Sequence, residues 1–270
     1  MSESRHRRDA VPAGAYREGL RVRSYEVGQA GRTQPATLLR YLEQLATNAS
    51  AALGFGHRWY EEHGDAWVVR EMSLLLGEPP GIDDEVELAT WLSDFRRVQA
   101  YREYAIWHRH TGKRIARACG RWAFINRHTG QVTRVPDEIV AACPTYPVAM
   151  PPRRQLEADA PRMLAPATYG VIARRYEADS NQHINNCVYL DWLAEALGAS
   201  LPAPGAMVRW PRSYHIEYIR PTWPGDQMRI TTRHQWQESR RLIAWQEIVT
   251  ERDGMVAVRA RSEHLLAQRA

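Results

Sequence analysis

The 270-residue chain is 44% hydrophobic and 25% charged, an ordinary composition for a soluble globular protein of one large or two ordinary domains. No apolar run approaches the ~20 residues of a membrane-spanning helix, and the opening "MSESRHRRDAVPAG" lacks the apolar core of a signal peptide. The formal charge is +5 with Lys113 as the only lysine among 36 basic residues; these dispersed arginines carry no nucleic-acid motif and reflect either a GC-rich coding preference or a surface suited to an acidic partner. Cys119, Cys143 and Cys187 stand at no metal spacing and form no disulfide framework, so a reducing, cytoplasmic setting is expected.

Along the chain, residues 1–15 read as a disordered basic tail. "SYEVGQAGRTQPATLLRYLEQLA" (Ser24–Ala46) then reads as a strand followed by a helix. That helix places Leu38, Leu42, Leu45, Ala49 and Leu53 on one face. "DEVELATWLSDF" and "AYREYAIWHRH" alternate as strands do, and "HTGKRIARACGRWAFI" adds a Gly-containing turn and a further strand. The proline-rich stretch 144–165 has no clear period and reads as a linker.

Beyond it the pattern begins again. "RYEADSNQHINNCVYLDWLAEAL" (Arg175–Leu197) lies over Ser24–Ala46 without gaps: Tyr176 on Tyr25, Glu177 on Glu26, Leu190 on Leu39, Trp192 on Tyr41, Leu193 on Leu42. The second helix puts Tyr189, Trp192, Leu193, Ala196 and Leu197 at i, i+3, i+4, i+7 and i+8. "QMRITTRHQW" and "RLIAWQEIVTE" alternate like the strands of the first half. An α+β fold is expected, each half a long antiparallel sheet wrapped around one mostly buried helix.

The stretch "DSNQHINN" gathers an acid, an imidazole and several amides just before the second helix. Asp and Asn are also good caps and turn formers, so the cluster has a plain structural explanation. The repeat weighs against that explanation. Opposite Asp179, Asn181 and His183 the first half has Gly28, Ala30 and Arg32, and it makes its helix without them.

The sequence resembles the acyl-ACP thioesterases, which place two hotdog domains in one chain. "NQHINNCVYLDWLAE" looks like that family's Asn-Gln-His-Val-Asn-Asn stretch with its following helix. "VRSYEVGQAGRTQPATLLRYLEQLATN", "AWVVREMSLLL" and "RIARACGRWAFINRHTGQVTRVPDEI" resemble its first-domain elements. The resemblance implies a tandem hotdog fold: a first domain over 16–143 holding the acyl chain, the linker at 144–165, and a catalytic domain over 166–270. It implies hydrolysis of fatty acyl-acyl carrier protein without a cofactor or metal, by an internal pseudo-dimer that can associate further. An acyl-CoA thioesterase of the same fold, or a non-catalytic acyl-binding or regulatory protein, are the alternatives.

The family's catalytic residues fall on Asp179, Asn181 and His183. Asp179 is expected to be a general base for water or the attacking carboxylate, with Asn181 and His183 orienting the substrate. Helix amides near Asn186 and Cys187 are expected to form the oxyanion hole. The family's Glu-Cys pair is replaced by Pro221 and Thr222, which leaves Thr222, Glu195 and Glu217 as possible auxiliaries. Cys187 is expected to be a small buried residue, although a helix N-terminus can lower a thiol pKa. Among Trp59, Trp67, Trp91, Trp107 and Trp122, some are core and others are candidates for lining an acyl pocket. Leu42 and Leu45 are expected to measure acyl length.

Overall fold

The computed structural model describes residues 11–147, 164–201, 208–237 and 241–266. Each half opens with a short strand, β1 (Tyr16–Arg21) or β6 (Ala167–Ile172), and a single 3-10 turn, Ser24–Glu26 or Arg175–Glu177. A long helix follows, α1 (Pro35–Ala52) or α4 (Val188–Ser200). The first half continues through β2 (Asp65–Leu76), β3 (Glu85–Arg96), β4 (Gln99–His108) and β5 (Arg114–Asn126). The second continues through β7 (Val208–Tyr218), β8 (Gln227–Gln237), β9 (Arg241–Thr250) and β10 (Val256–Leu266). The first half also has α2 (His57–His63), just after α1, and α3 (Asp137–Ala142), after β5.

All ten strands join one antiparallel sheet in the order β1-β3-β4-β5-β2-β7-β10-β9-β8-β6. The order is a palindrome of the repeat, and the halves meet where β2 pairs with β7, Glu71 opposite Glu217 and Ser73 opposite His215. This is the tandem hotdog fold.

The gapless repeat, position 24 falling on 175, is reproduced bond for bond. Gly28 N–H donates to the Arg32 carbonyl at 2.9 Å, and Asp179 N–H to the His183 carbonyl at 2.9 Å. Tyr41 Oη donates to Glu26 at 2.7 Å; its counterpart Trp192 Nε1 donates to Glu177 at 3.3 Å. Arg40 bonds Asp191, its own counterpart, at 2.8 Å, so this pair marks the pseudo-twofold axis between α1 and α4.

Both helices lie against the same face of the sheet because each carries an apolar stripe too wide to leave in water. Leu38, Leu39, Leu42 and Leu45 of α1 pack in one core with Tyr189, Leu190, Trp192 and Leu193 of α4, together with Met72, Tyr104, Ile216 and Tyr218 of the strands. Leu53, assigned to the apolar face from the sequence, is exposed, because it stands at the C-cap where α1 leaves the sheet.

Residues 1–10 of the expected tail lie outside the described residues. Val11 and Ala15 are not loose: they pack on Ala89, Trp91, Ala105 and Trp107, on the outer face of the sheet. Residues 148–163 of the expected linker lie outside the described residues as well. Its start runs along β3, with Tyr146 N–H donating to the Leu92 carbonyl at 2.8 Å. Charge marked the first segment and proline content the second as irregular, but an irregular backbone still packs where apolar side chains find a surface.

Candidate active site

The segment Ala178–Ile184 is a tight loop closed by a bridge between its ends. Gln182 turns the chain with φ of 64°, and its N–H donates to the Asp179 carbonyl at 3.0 Å. The Asp179 side chain accepts the Asn181 N–H at 2.8 Å, an Asx turn that fixes one carboxylate oxygen against the loop. Ile184 N–H donates to the Thr222 carbonyl at 2.9 Å, which straps the loop to the segment between β7 and β8. The His183 ring meets Trp223 edge-on at 5.3 Å, and the Arg252 guanidinium lies over the same indole at 5.9 Å.

The helix begins one residue beyond "HINN". Asn185 caps it: its Oδ1 accepts the Cys187 N–H at 2.9 Å, and its carbonyl accepts the Val188 N–H at 3.0 Å. The Cys187 amide expected in an oxyanion hole is therefore already engaged. Burial and the neighbouring Glu43 carboxylate push the Cys187 thiol well above its ordinary pKa, so the helix N-terminus does not activate it. Asn186 also differs from expectation. Its Nδ2 donates to Glu43 Oε1 at 2.6 Å, while Asn185 Nδ2 reaches Oε2 of the same carboxylate at 3.4 Å. Glu43 comes from α1, in the other half. Burial raises its pKa, the amide hydrogen bonds oppose that rise, and the Asp179 charge adds to it.

A cavity of about 490 Å³ opens at Ser180 and Asn181 and runs into the first half. Arg127 stands at its mouth, donating to Asn181 Oδ1 at 3.0 Å. With that oxygen taken, the amide nitrogen of Asn181 is the group left for a substrate. The walls include Phe55, Trp67, Leu92, Phe95 and Ile139, with Ala46, Thr47 and Ser50 from α1. Three polar groups of the wall are paired with one another: Trp67 Nε1 donates to Tyr60 Oη at 3.1 Å, and that oxygen bonds Ser50 Oγ at 3.0 Å. The site thus joins a polar loop to a mostly apolar slot.

The loop carries Asp179, Asn181 and His183 within five residues; Asn181 lines the cavity, Asp179 and His183 are not among its lining residues, and the His183 ring lies against Trp223. Four expectations need correction. Thr222 is fully buried and its hydroxyl bonds Tyr189 Oη at 2.7 Å, so it anchors the loop from beneath. Glu195 is exposed on the outer side of α4, away from the loop's buried side. Glu217 alternates with the core residues Ile216 and Tyr218, and so points to the opposite face of the sheet from the helices. Leu42 and Leu45 belong to the interhelical core; the slot is bounded by the adjacent face of α1, at Ala46, Thr47 and Ser50.

The tryptophans divide by strand position. Trp67 and Trp122 line the cavity, Trp59 packs beside Phe55, and Trp91 and Trp107 lie on the outer face. Sequence reasoning missed Glu43, Arg127 and Trp223. Glu43 had one detectable signal: it is the one acid on α1, and its repeat counterpart is Ala194. Arg127 and Trp223 reach the loop only through tertiary contacts.

The family model for the acyl-ACP thioesterase N-terminal domain matches residues 14–143, and that for the C-terminal domain matches residues 166–265. An oleoyl-acyl carrier protein thioesterase 2 of Arabidopsis thaliana is 29% identical over 198 residues, 68% of this chain and 54% of its own. A palmitoyl-acyl carrier protein thioesterase of Cuphea hookeriana is 26% identical over 67% of this chain and 46% of its own. The chain thus spans about half the length of the curated relatives it matches. A Lactobacillus plantarum protein titled as a candidate oleoyl thioesterase superposes with a TM-score of 0.83 at 23% identity, covering 95% of this chain and 99% of that one. The 12:0-ACP thioesterase from Umbellularia californica gives 0.76 at 21% identity, covering 94% of each chain. With both halves matched in order by the two domain models, and the ten-stranded double fold shared with these structures, the chain belongs to the acyl-ACP thioesterase family.

Proposed function

We propose that this protein hydrolyses the thioester of fatty acyl-acyl carrier protein and releases the free fatty acid. The observation that carries this reading is the junction of an acid–amide–imidazole loop with a largely apolar slot. Asn181 lines the mouth of the slot, which leads into the first half, and Asp179 and His183 flank it in the same loop. Family membership supports the same substrate class.

In this mechanism Asp179 is the general base. One of its oxygens is held by the loop, and the other takes the proton of a water that attacks the thioester carbonyl. The Asn181 amide nitrogen, oriented by Arg127, donates to the carbonyl oxygen as negative charge develops there. The positive end of α4 acts in the same direction, although its Cys187 amide is used by the cap. His183, in edge contact with Trp223, would give a proton to the departing thiolate and regain one from Asp179. The balance is one water consumed, one fatty acid and one carrier thiol produced.

The dispersed arginines and the net charge of +5 favour an acidic protein as the carrier of the acyl group. The three free cysteines are all buried, which fits a reducing compartment and supports a cytoplasmic setting. The deciding experiment is turnover with a panel of acyl-ACPs and matching acyl-CoAs across a salt series. Hydrolysis of acyl-ACP that falls more steeply with salt than hydrolysis of acyl-CoA supports the carrier-protein reading. Equal rates and equal salt slopes point to acyl-CoA, and no turnover with either removes the enzymatic reading.

A further inference from the structure

Glu43 is a carboxylate in a place where the fold alone does not require one. It projects from the middle of α1, one turn before Ala46 and Thr47, which line the slot. Its two oxygens accept from the side-chain amides of Asn186 at 2.6 Å and Asn185 at 3.4 Å, two of the three residues between the loop and α4. Enclosing a carboxylate in this way carries a desolvation cost, which appears as its raised pKa. Such a group destabilises the fold unless its hydrogen bonds do something an apolar side chain cannot.

The pseudo-symmetry supplies an internal control. The counterpart of Glu43 is Ala194, and the counterparts of Asn185 and Asn186 are Gln34 and Pro35. The second contact of the pair therefore has neither a carboxylate nor two amides, yet α1 starts there with a proline and packs as well as α4 does. The interhelical interface closes without the contact. It survives only on the side that faces Asp179, Asn181 and His183.

We propose that Glu43 is a positioning residue for the hydrolytic site, supplied by the first half to the second. Its carboxylate turns the Asn185 and Asn186 amides so that both present nitrogen toward α1. Asn185 is then left with its oxygen toward the Cys187 N–H, and the cap is set in one orientation. Through the cap, Glu43 fixes where α4 begins and where the loop that precedes it stands. The hydrolytic site is composite on this account: the first half contributes the strut as well as the slot, and the second half alone does not complete it. The inference rests on the assignment of Asp179 and its loop as catalytic.

The test uses five variants of the protein, Glu43→Leu, Glu43→Gln, Asn186→Ala, the Glu43→Leu/Asn186→Ala double and Asp179→Asn, with kcat, KM and melting temperature measured for each on acyl-ACP. Glu43→Leu keeps the bulk and removes the acceptors. Its kcat is expected to fall about tenfold or more, the effect of losing a hydrogen bond to a charged group, with KM nearly unchanged and no loss of melting temperature. Glu43→Gln retains one acceptor oxygen for Asn186 and is expected to restore kcat to within about threefold of wild type. Asn186→Ala removes the same contact from the other side and is expected to reproduce the Glu43→Leu loss, with the double variant no worse than either single one.

Wild-type kcat in Glu43→Leu overturns the inference, and so does a loss that tracks a lowered melting temperature. Full turnover in Asn186→Ala overturns it even if Glu43→Leu does not fold. Asp179→Asn separates the two levels. If that variant is inactive while the Glu43 and Asn186 variants are not, only the positioning role fails. If it is fully active, the catalytic assignment fails first.

Discussion

The loops 27–33 and 178–184 share one backbone and differ in almost every side chain. Both are closed by a terminal bridge, and both carry the same pair of internal hydrogen bonds, from Gly28 to Arg32 and from Asp179 to His183, each at 2.9 Å. The first achieves its reversal with Gly31 at φ of 66°, where no Cβ is strained. The second puts Gln182 there at 64°, a conformation a side chain tolerates at some cost. The frame is therefore what the fold needs, and the acid, amide and imidazole are additions to it. The halves also diverge in what lies beneath. The first half has α2 and α3 around a cavity, and the second packs Trp192, Leu193 and Leu197 into closed core.

The largest expected effect tests whether the polar set is what separates the loops. Asp179→Asn preserves shape and turn-forming capacity, so its melting temperature should stay near wild type, while turnover falls by the ~10²–10⁴-fold typical of losing a general base. At the counterpart of His183, Arg32→Ala removes an exposed contact to the Pro79 carbonyl and should leave turnover within about twofold. A large catalytic loss in the Arg32 variant, or none in the Asp179 variant, would break the comparison.

The slot offers the next contrast, between two faces of α1. Ala46→Phe intrudes on the cavity and should shift preference toward shorter acyl chains by about tenfold or more, since each methylene in an apolar pocket is worth roughly 1–3 kcal/mol. Leu42→Ala opens a hole in the interhelical core and should cost about 2–5 kcal/mol of stability while lowering activity on all chain lengths alike. A chain-length panel with parallel thermal melts checks both. Matching profiles for the two variants would dissolve the distinction between measuring face and core face.

Arg127→Ala should have a smaller effect. The guanidinium orients Asn181 from an exposed position, so its loss is expected to reduce kcat/KM several-fold with no change in melting temperature. Stopped assays at low and high salt would sharpen the point, because an exposed contact of this kind weakens with ionic strength.

The smallest effect is a pH dependence of stability. Burial raises the Glu43 pKa in the folded state. The stability associated with that group is fully present below the ordinary carboxylate pKa of about 4.3 and is lost as pH rises through the raised folded value. The melting temperature of Glu43→Gln minus that of wild type should therefore become more positive between about pH 4 and pH 8. A flat or falling difference would mean that the carboxylate is not penalised by its surroundings. No equivalent trend is expected at Ala194.

Periodicity and repetition made the two-helix, one-sheet plan legible in the sequence. The strand patterns and the offset from 24 to 175 survive as paired hydrogen bonds because local spacing decides which face of a strand or helix is apolar. The loop proposed to be catalytic stood out for the same reason, since its polar residues lie close together in the sequence. What failed was every judgement that depended on which apolar or polar face meets which partner. Glu217 and the cavity-facing side chains alternate on similar strands, and only the position of the helices decides which face is inside. Leu42 and Ala46 sit one turn apart on α1, yet one meets α4 and the other the slot.

The sequence by itself determined the doubled architecture, the helix stripes and the placing of Asp179, Asn181 and His183 before the second helix, because each is set by neighbours a few residues away. Only the tertiary structure decided that Glu43 reaches Asn185 and Asn186, that Arg127 holds Asn181, and that the Cys187 N–H is taken by the Asn185 side chain. The first two contacts join residues far apart in sequence, across the junction of the two halves. The physical reason is that hydrogen bonding and desolvation depend on which groups exclude water together, and that is fixed when the sheet closes around both helices.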